Sequence, residues 1–139
     1  MNDTIVSLLG YISWILILLV WLATYRTLLV AKKEQAVNDF KSDGSNSPAF
    51  GERLSRAQGN CVESFAFIGG LMLLALATNS AAITNSLALV LLAARLGQSI
   101  THLISTSVLA VQIRFAFFLA QVAICFYWVV LFAEKFIGA

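Results

Sequence analysis

The chain has 139 residues, 60% of them hydrophobic and only 12% charged, where a soluble domain carries roughly 25% charged residues. That balance excludes an ordinary water-soluble globule and points to a single helical membrane domain. The net charge of +2 is small and its basic residues are scattered, which argues against a nucleic-acid surface. Cys61 and Cys125 fall inside apolar runs. Their spacing suits neither a disulfide framework nor a metal site. The lone His102 adds no recognised ligand pattern, so no metal is expected.

Thr4 to Tyr25 contains no charged residue. That length crosses a hydrocarbon core of ~30 Å at ~1.5 Å per residue. A first helix is expected over about 5–31. It does not read as a signal peptide, because Asp3 precedes it without Lys or Arg and the apolar run is too long. Arg26 lies before Lys32 and Lys33, from where its long stem can reach the surface.

Residues 32–52 form the only long polar segment and hold the only proline, Pro48. They read as a loop. Lys32, Lys33 and Lys41 lie in it, with Arg53 and Arg56 just after. The positive-inside rule places this loop in the cytoplasm and both termini on the opposite side.

A second helix is expected over about 53–77. At 100° per residue, Arg53, Arg56, Asn60 and Glu63 fall on one face. Charges entering lipid are costly and face protein or water. The face is therefore either a salt-bridge ladder or a pocket for a small, multiply charged ligand. The uncharged run from Glu63 to Arg95 is too long for one span. It divides at Thr78–Ser86, where Asn and Ser offer turn and cap chemistry. A third helix over about 82–107 gathers Arg95, Gln98, Ser99, His102, Ser105 and Thr106 on one side. A fourth over about 111–136 places Arg114, Phe118, Gln121, Cys125 and Trp128 on a shared face.

Arg56-Ala-Gln-Gly-Asn60-Cys-Val-Glu63 resembles the Arg-x-x-x-Asn-x-x-Glu signature of the MAPEG family, the membrane-associated proteins in eicosanoid and glutathione metabolism. That family includes microsomal glutathione transferases, prostaglandin E synthase, leukotriene C4 synthase and bacterial relatives. The third helix is similar to its Arg-x-x-His-x-x-x-Tyr pattern, with Arg95 kept, Gln98 at the His position and His102 at the Tyr position. Ile113-Arg114-Phe115 resembles the start of the fourth helix in bacterial members. There an arginine is thought to activate the glutathione thiol.

The resemblance implies a four-helix membrane bundle assembled as a homotrimer, with glutathione as co-substrate. It further implies a transferase or peroxidase acting on a lipophilic electrophile or hydroperoxide, in a bacterial inner membrane. Arg56 and Arg95 suit glutathione's carboxylates, because guanidinium makes bidentate pairs. Glu63 takes the ammonium or else braces Arg95. Asn60, Gln98 and His102 fill the remaining hydrogen bonds. Arg114 would favour the thiolate, or else serve as a positive-inside anchor. Phe115 stands where prostaglandin E synthase has a serine, and Gly59 where some family enzymes have a second arginine. These departures leave open a non-catalytic member that binds or presents lipid. A small proton-coupled exporter is a third reading. It is disfavoured because the first span has no carboxylate and Glu63 lies beside Arg56.

Overall fold

The computed structural model describes residues 2–138. Within them the chain forms α1 (Asp3–Ala31), α2 (Ala49–Ala77), α3 (Ala81–Ile104) and α4 (Val108–Phe136). All four helices are long and apolar enough to cross a membrane. A 29-residue helix spans about 43 Å at 1.5 Å per residue. This exceeds the ~30 Å hydrocarbon core, so the helices carry polar turns beyond it.

Local chemistry sets the ends. The Asn2 side chain accepts from the backbone N–H groups of Thr4 and Ile5, which caps α1. Ser107 caps α4 by accepting from Ala110 N. α2 begins at Ala49, earlier than the expected 53. Pro48, with φ −53° and ψ 158°, pre-sets the entry to the helix and has no N–H to leave unpaired. Asn79 takes φ 53°, which lets the α2–α3 connection turn within three residues.

α2 and α3 form the central pair. α1 packs on both of them, and α4 packs mainly on α3 and less on α2. Among the described residues the backbones of α1 and α4 do not approach closely, although buried side chains of both belong to one core. The core holds Tyr11, Leu18, Leu54, Ile68, Met72, Leu91 and Trp128, all fully buried. Small polar groups tie α1 to α3. Thr4 Oγ1 meets Thr84 Oγ1 at 2.6 Å, and Ser7 Oγ donates to Ala88 O at 2.8 Å. Such contacts suit helix association in lipid, where there is no apolar driving force between spans. Leu9, Leu16, Ile17 and Val20 on α1, and Phe126, Tyr127 and Val130 on α4, are exposed. In water such a surface would be a liability, whereas against acyl chains it costs nothing.

Gly97 permits the close α3–α4 approach. A Cβ there would lie 2.7 Å from Phe117 Cζ, with both Cε atoms at 3.0–3.1 Å. The half-buried Phe117 ring would have to shift to make room. Gly97→Ala is therefore expected to destabilise the protein by about 1–3 kcal/mol, read as a lower melting temperature in detergent. An unchanged melting temperature would show that Phe117 moves freely.

The alternation of four spans brings the loop 32–48 and the α3–α4 turn to one end of the bundle. Most of the polar side chains lie toward that end.

Candidate functional site

A cavity of about 560 Å³ opens at the loop end. α2 supplies most of its wall, through Ser55, Arg56, Gln58, Gly59, Asn60, Val62 and Glu63. α3 supplies His102, and the loop supplies Ser42 and Asp43. The helical spacing that puts Arg56, Asn60 and Glu63 on one face thus puts them on one wall.

Behind that wall lies a closed ring of side chains from three helices. Arg95 is 1% exposed. Its Nη1 donates to Asn60 Oδ1 at 2.6 Å, and its Nε donates to Gln121 Oε1 at 2.9 Å. Gln121 Nε2 donates to Gln98 Oε1 at 2.7 Å and to Phe117 O at 3.0 Å. Gln98 Nε2 closes the ring on Asn60 Oδ1 at 3.4 Å. Tyr11 adds its ring face 5.8 Å from the guanidinium, a geometry that favours a cation. Arg95 Nη2 is buried without a hydrogen-bond partner.

The chemistry of this ring orients Asn60. A guanidinium only donates, so Asn60 must turn its oxygen toward Arg95. Its NH₂ group then has no protein partner among the described residues and serves the cavity as a donor. A buried cation thereby sets the polarity of an amide on the wall.

The remaining charges are arranged differently. Arg56 pairs with Glu52 at 2.8 Å, with its side chain half exposed. It is the one ion pair within 4 Å among the described residues, so the polar face of α2 is not a salt-bridge ladder. Glu63 is exposed on the cavity wall. It does not brace Arg95, whose partners are Asn60 and Gln121. Arg53 shares the α2 face, yet its Nε donates to Leu103 O at 2.9 Å, serving an α3 carbonyl near the helix end. Asp43 accepts from Ser45 N at 3.0 Å. This bond holds its carboxyl below the usual carboxylate range, with a smaller contribution from Arg56.

The expected site residues therefore divide into three groups. Arg56, Asn60, Glu63 and His102 line the cavity. Arg95 and Gln98 stand behind it and reach it through Asn60. Arg114 does not line it. Its side chain is half-buried, with Nε lacking a partner. Sequence reasoning missed Gln121 and Asp43 as parts of the site. Gln121 did carry a signal, as the only charged or amide side chain between Arg114 and Glu134. Asp43 carried none, because a loop residue's neighbours depend on how the loop folds back.

A second hollow of about 360 Å³ opens between α2 and α4, lined by Phe67, Leu71, Phe118, Val122, Cys125, Phe126 and Val129. It contains no charged group. Phe67 follows Glu63 by one helical turn, and Phe118 follows Arg114 in the same way. The apolar hollow thus begins one turn deeper in the membrane than the charged residues.

The model of the MAPEG family matches residues 4–133. No curated protein and no solved structure gives a match. The match takes in all four spans and both walls of the charged cavity, and the chain is a member of the MAPEG family.

Proposed function

We propose that this protein binds glutathione in the charged cavity and directs its thiol at a lipophilic electrophile or hydroperoxide arriving from the bilayer. The observation that carries this reading is the composition of one wall: a cation, an oriented amide donor and carboxylates around a space of about 560 Å³. Glutathione offers two carboxylates, an ammonium, amides and a thiol, and the volume falls within the range of small-molecule sites. MAPEG proteins generally use glutathione, which favours this ligand over other small zwitterions.

Arg56 is the capture residue. Its pair with Glu52 is exposed and worth about 0–1 kcal/mol, so a ligand carboxylate displaces Glu52 at little cost. Asn60 Nδ2 donates to a ligand acceptor. His102 presents a ring with no protein hydrogen bond among the described residues, and it is free to bond the ligand. Arg95 and Gln98 act through Asn60. Arg114 stabilises the thiolate: a guanidinium beside a thiol favours its charged form, and only the thiolate attacks. Three copies assembled as a homotrimer would cover the exposed Glu63 and bring Arg114 to a shared site. The basic loop faces the cytoplasm of a bacterial cell.

Kinetics separate capture from chemistry. Arg56→Ala is expected to raise KM for glutathione on the order of tenfold or more, the loss of a charged hydrogen bond. Arg114→Ala is expected to lower kcat with little change in KM. The assay is conjugation of glutathione to a lipophilic electrophile in detergent. Equal effects of both variants on KM alone would remove Arg114 from the chemistry.

The apolar hollow favours a second reading, in which the protein binds or presents a lipid without turnover. Saturable lipid binding with no glutathione-dependent product from any electrophile or hydroperoxide would support it.

A further inference from the structure

We infer that the loop end of α1 is a binding site for an anionic phospholipid, with the phosphate on Arg26 and an acyl chain running along the exposed face of the helix. Neither Arg26 nor the residues grouped with it line the charged cavity, so the lipid and glutathione would occupy different places.

Depth and charge come first. The charge-free run from Thr4 to Tyr25 covers about 33 Å as a helix, just over the ~30 Å hydrocarbon core. Arg26 is the first residue past it and stands at the level of the lipid phosphates. It makes no ion pair among the described residues, where the one such pair joins Arg56 to Glu52. Both of its hydrogen bonds run through Nη2, which donates to Lys41 O at 3.1 Å and to Ser55 Oγ at 3.2 Å. These bonds tie the loop to α2 and fix the guanidinium in place. Nε is buried without a partner, and Nη1 bonds no protein acceptor among the described residues. A fixed, uncompensated guanidinium at phosphate depth complements an anionic headgroup.

The surroundings have the polarity of a lipid. Arg26 lines a groove of about 390 Å³ with Thr27 and Val30 of α1 and Val37 and Phe40 of the returning loop. The Phe40 ring lies 5.2 Å from the guanidinium. Val37 is 79% exposed, an apolar wall with no protein over it. The loop that carries this wall is braced: Asn46 Nδ2 donates to Asp39 O at 2.7 Å, and its Oδ1 accepts from Lys41 N at 3.1 Å. Deeper in the membrane, Leu16, Val20, Ala23, Thr27 and Val30 fall within about 40° of one line along α1, and all but Val30 are exposed. A shallow apolar hollow of about 450 Å³ opens on this stretch, lined by Leu16, Ile17, Val20 and Trp21. Thr27 Oγ1 donates to Ala23 O at 2.8 Å, so its hydroxyl is satisfied where the hydrocarbon begins. A headgroup on Arg26 thus has an apolar track beneath it for its chain, narrowest in side chain at Ala23.

The test is native mass spectrometry of the detergent-purified protein with an equimolar mixture of chain-matched phosphatidylglycerol and phosphatidylcholine. The wild type is expected to retain phosphatidylglycerol about fivefold over phosphatidylcholine, the effect of one cation near the headgroup. Arg26→Gln is expected to abolish that preference. So is Val37→Asp, which sets an anion in the groove, leaves the Arg26 bonds in place and covers the case in which Arg26→Gln releases the loop. Lys32→Gln combined with Lys33→Gln removes two charges outside the groove and is expected to keep the preference. Excess glycerol 3-phosphate, a headgroup without chains, is expected not to displace the lipid. A wild type with no preference, as a groove filled by a second copy would give, overturns the site. So does a preference that survives Arg26→Gln or Val37→Asp. A preference lost equally in the lysine double variant also overturns it, because diffuse surface charge would then account for the selectivity. Displacement by glycerol 3-phosphate overturns the acyl track and leaves a site for free phosphate esters in its place.

Discussion

Asn60→Asp is expected to bind glutathione about 100-fold more weakly than the wild type while melting at the same temperature or higher. The two effects have opposite signs for one reason. Arg95 is buried and among the described residues faces only neutral partners. A carboxylate at position 60 would give it a counter-charge in place of an amide oxygen, and a charge-assisted hydrogen bond is stronger than a neutral one. The same change removes the Nδ2 donor from the cavity and turns an acceptor toward an anionic ligand. A lost hydrogen bond to a charged group costs about 1.5–3 kcal/mol, and like-charge repulsion adds to it. At about 1.4 kcal/mol per decade, the sum reaches on the order of 100-fold. Calorimetry and thermal melting in detergent read the two quantities separately. Unimpaired binding would mean that Asn60 does not donate to the ligand.

Gln121→Leu is expected to cost about 2–4 kcal/mol of stability, although Gln121 touches no ligand. It is 1% exposed and joins Arg95 to Gln98. Leucine would leave Arg95 Nε and Gln98 Oε1 unpaired in the membrane interior. Neutral interhelical hydrogen bonds in bilayers average only about 0.6 kcal/mol, so the Gln98 half contributes little. The larger share comes from the guanidinium, because an unpaired charged donor carries the heavier penalty. Arg95 already has one orphaned nitrogen in Nη2 and no spare partner to turn to. Gln121→Glu is expected to be milder, since it keeps an acceptor for Nε and adds a counter-charge. Melting temperatures of the two variants decide the matter. A leucine variant as stable as the glutamate variant would show that the ring does not hold α4 to α3.

Periodicity finds the face of a helix but not the neighbour that the face meets. The four spans were legible because their length and hydropathy leave few alternatives. Arg56, Asn60 and Glu63 were legible as a set because their spacing repeats with the helix, and the cavity wall preserves that set. Arg53 obeys the same spacing, yet it turns to the end of α3 and reaches Leu103 O. Arg95 was expected against ligand carboxylates. Its depth in the bundle puts it against Asn60 and Gln121 instead. Arg26 reads in sequence as a cation near an interface, and only the returning loop makes it a strut. In each of these cases the missing information was tertiary. The helix sets the direction of the side chain, and the packing of neighbours decides what it meets.

The central claim is that the charged cavity recognises glutathione. Titration of reduced glutathione into the detergent-purified wild-type protein, followed by calorimetry, tests it most directly. Saturable binding with a defined stoichiometry, lost in Arg56→Ala, is the predicted result. Heats no larger than dilution at every accessible concentration would contradict the account.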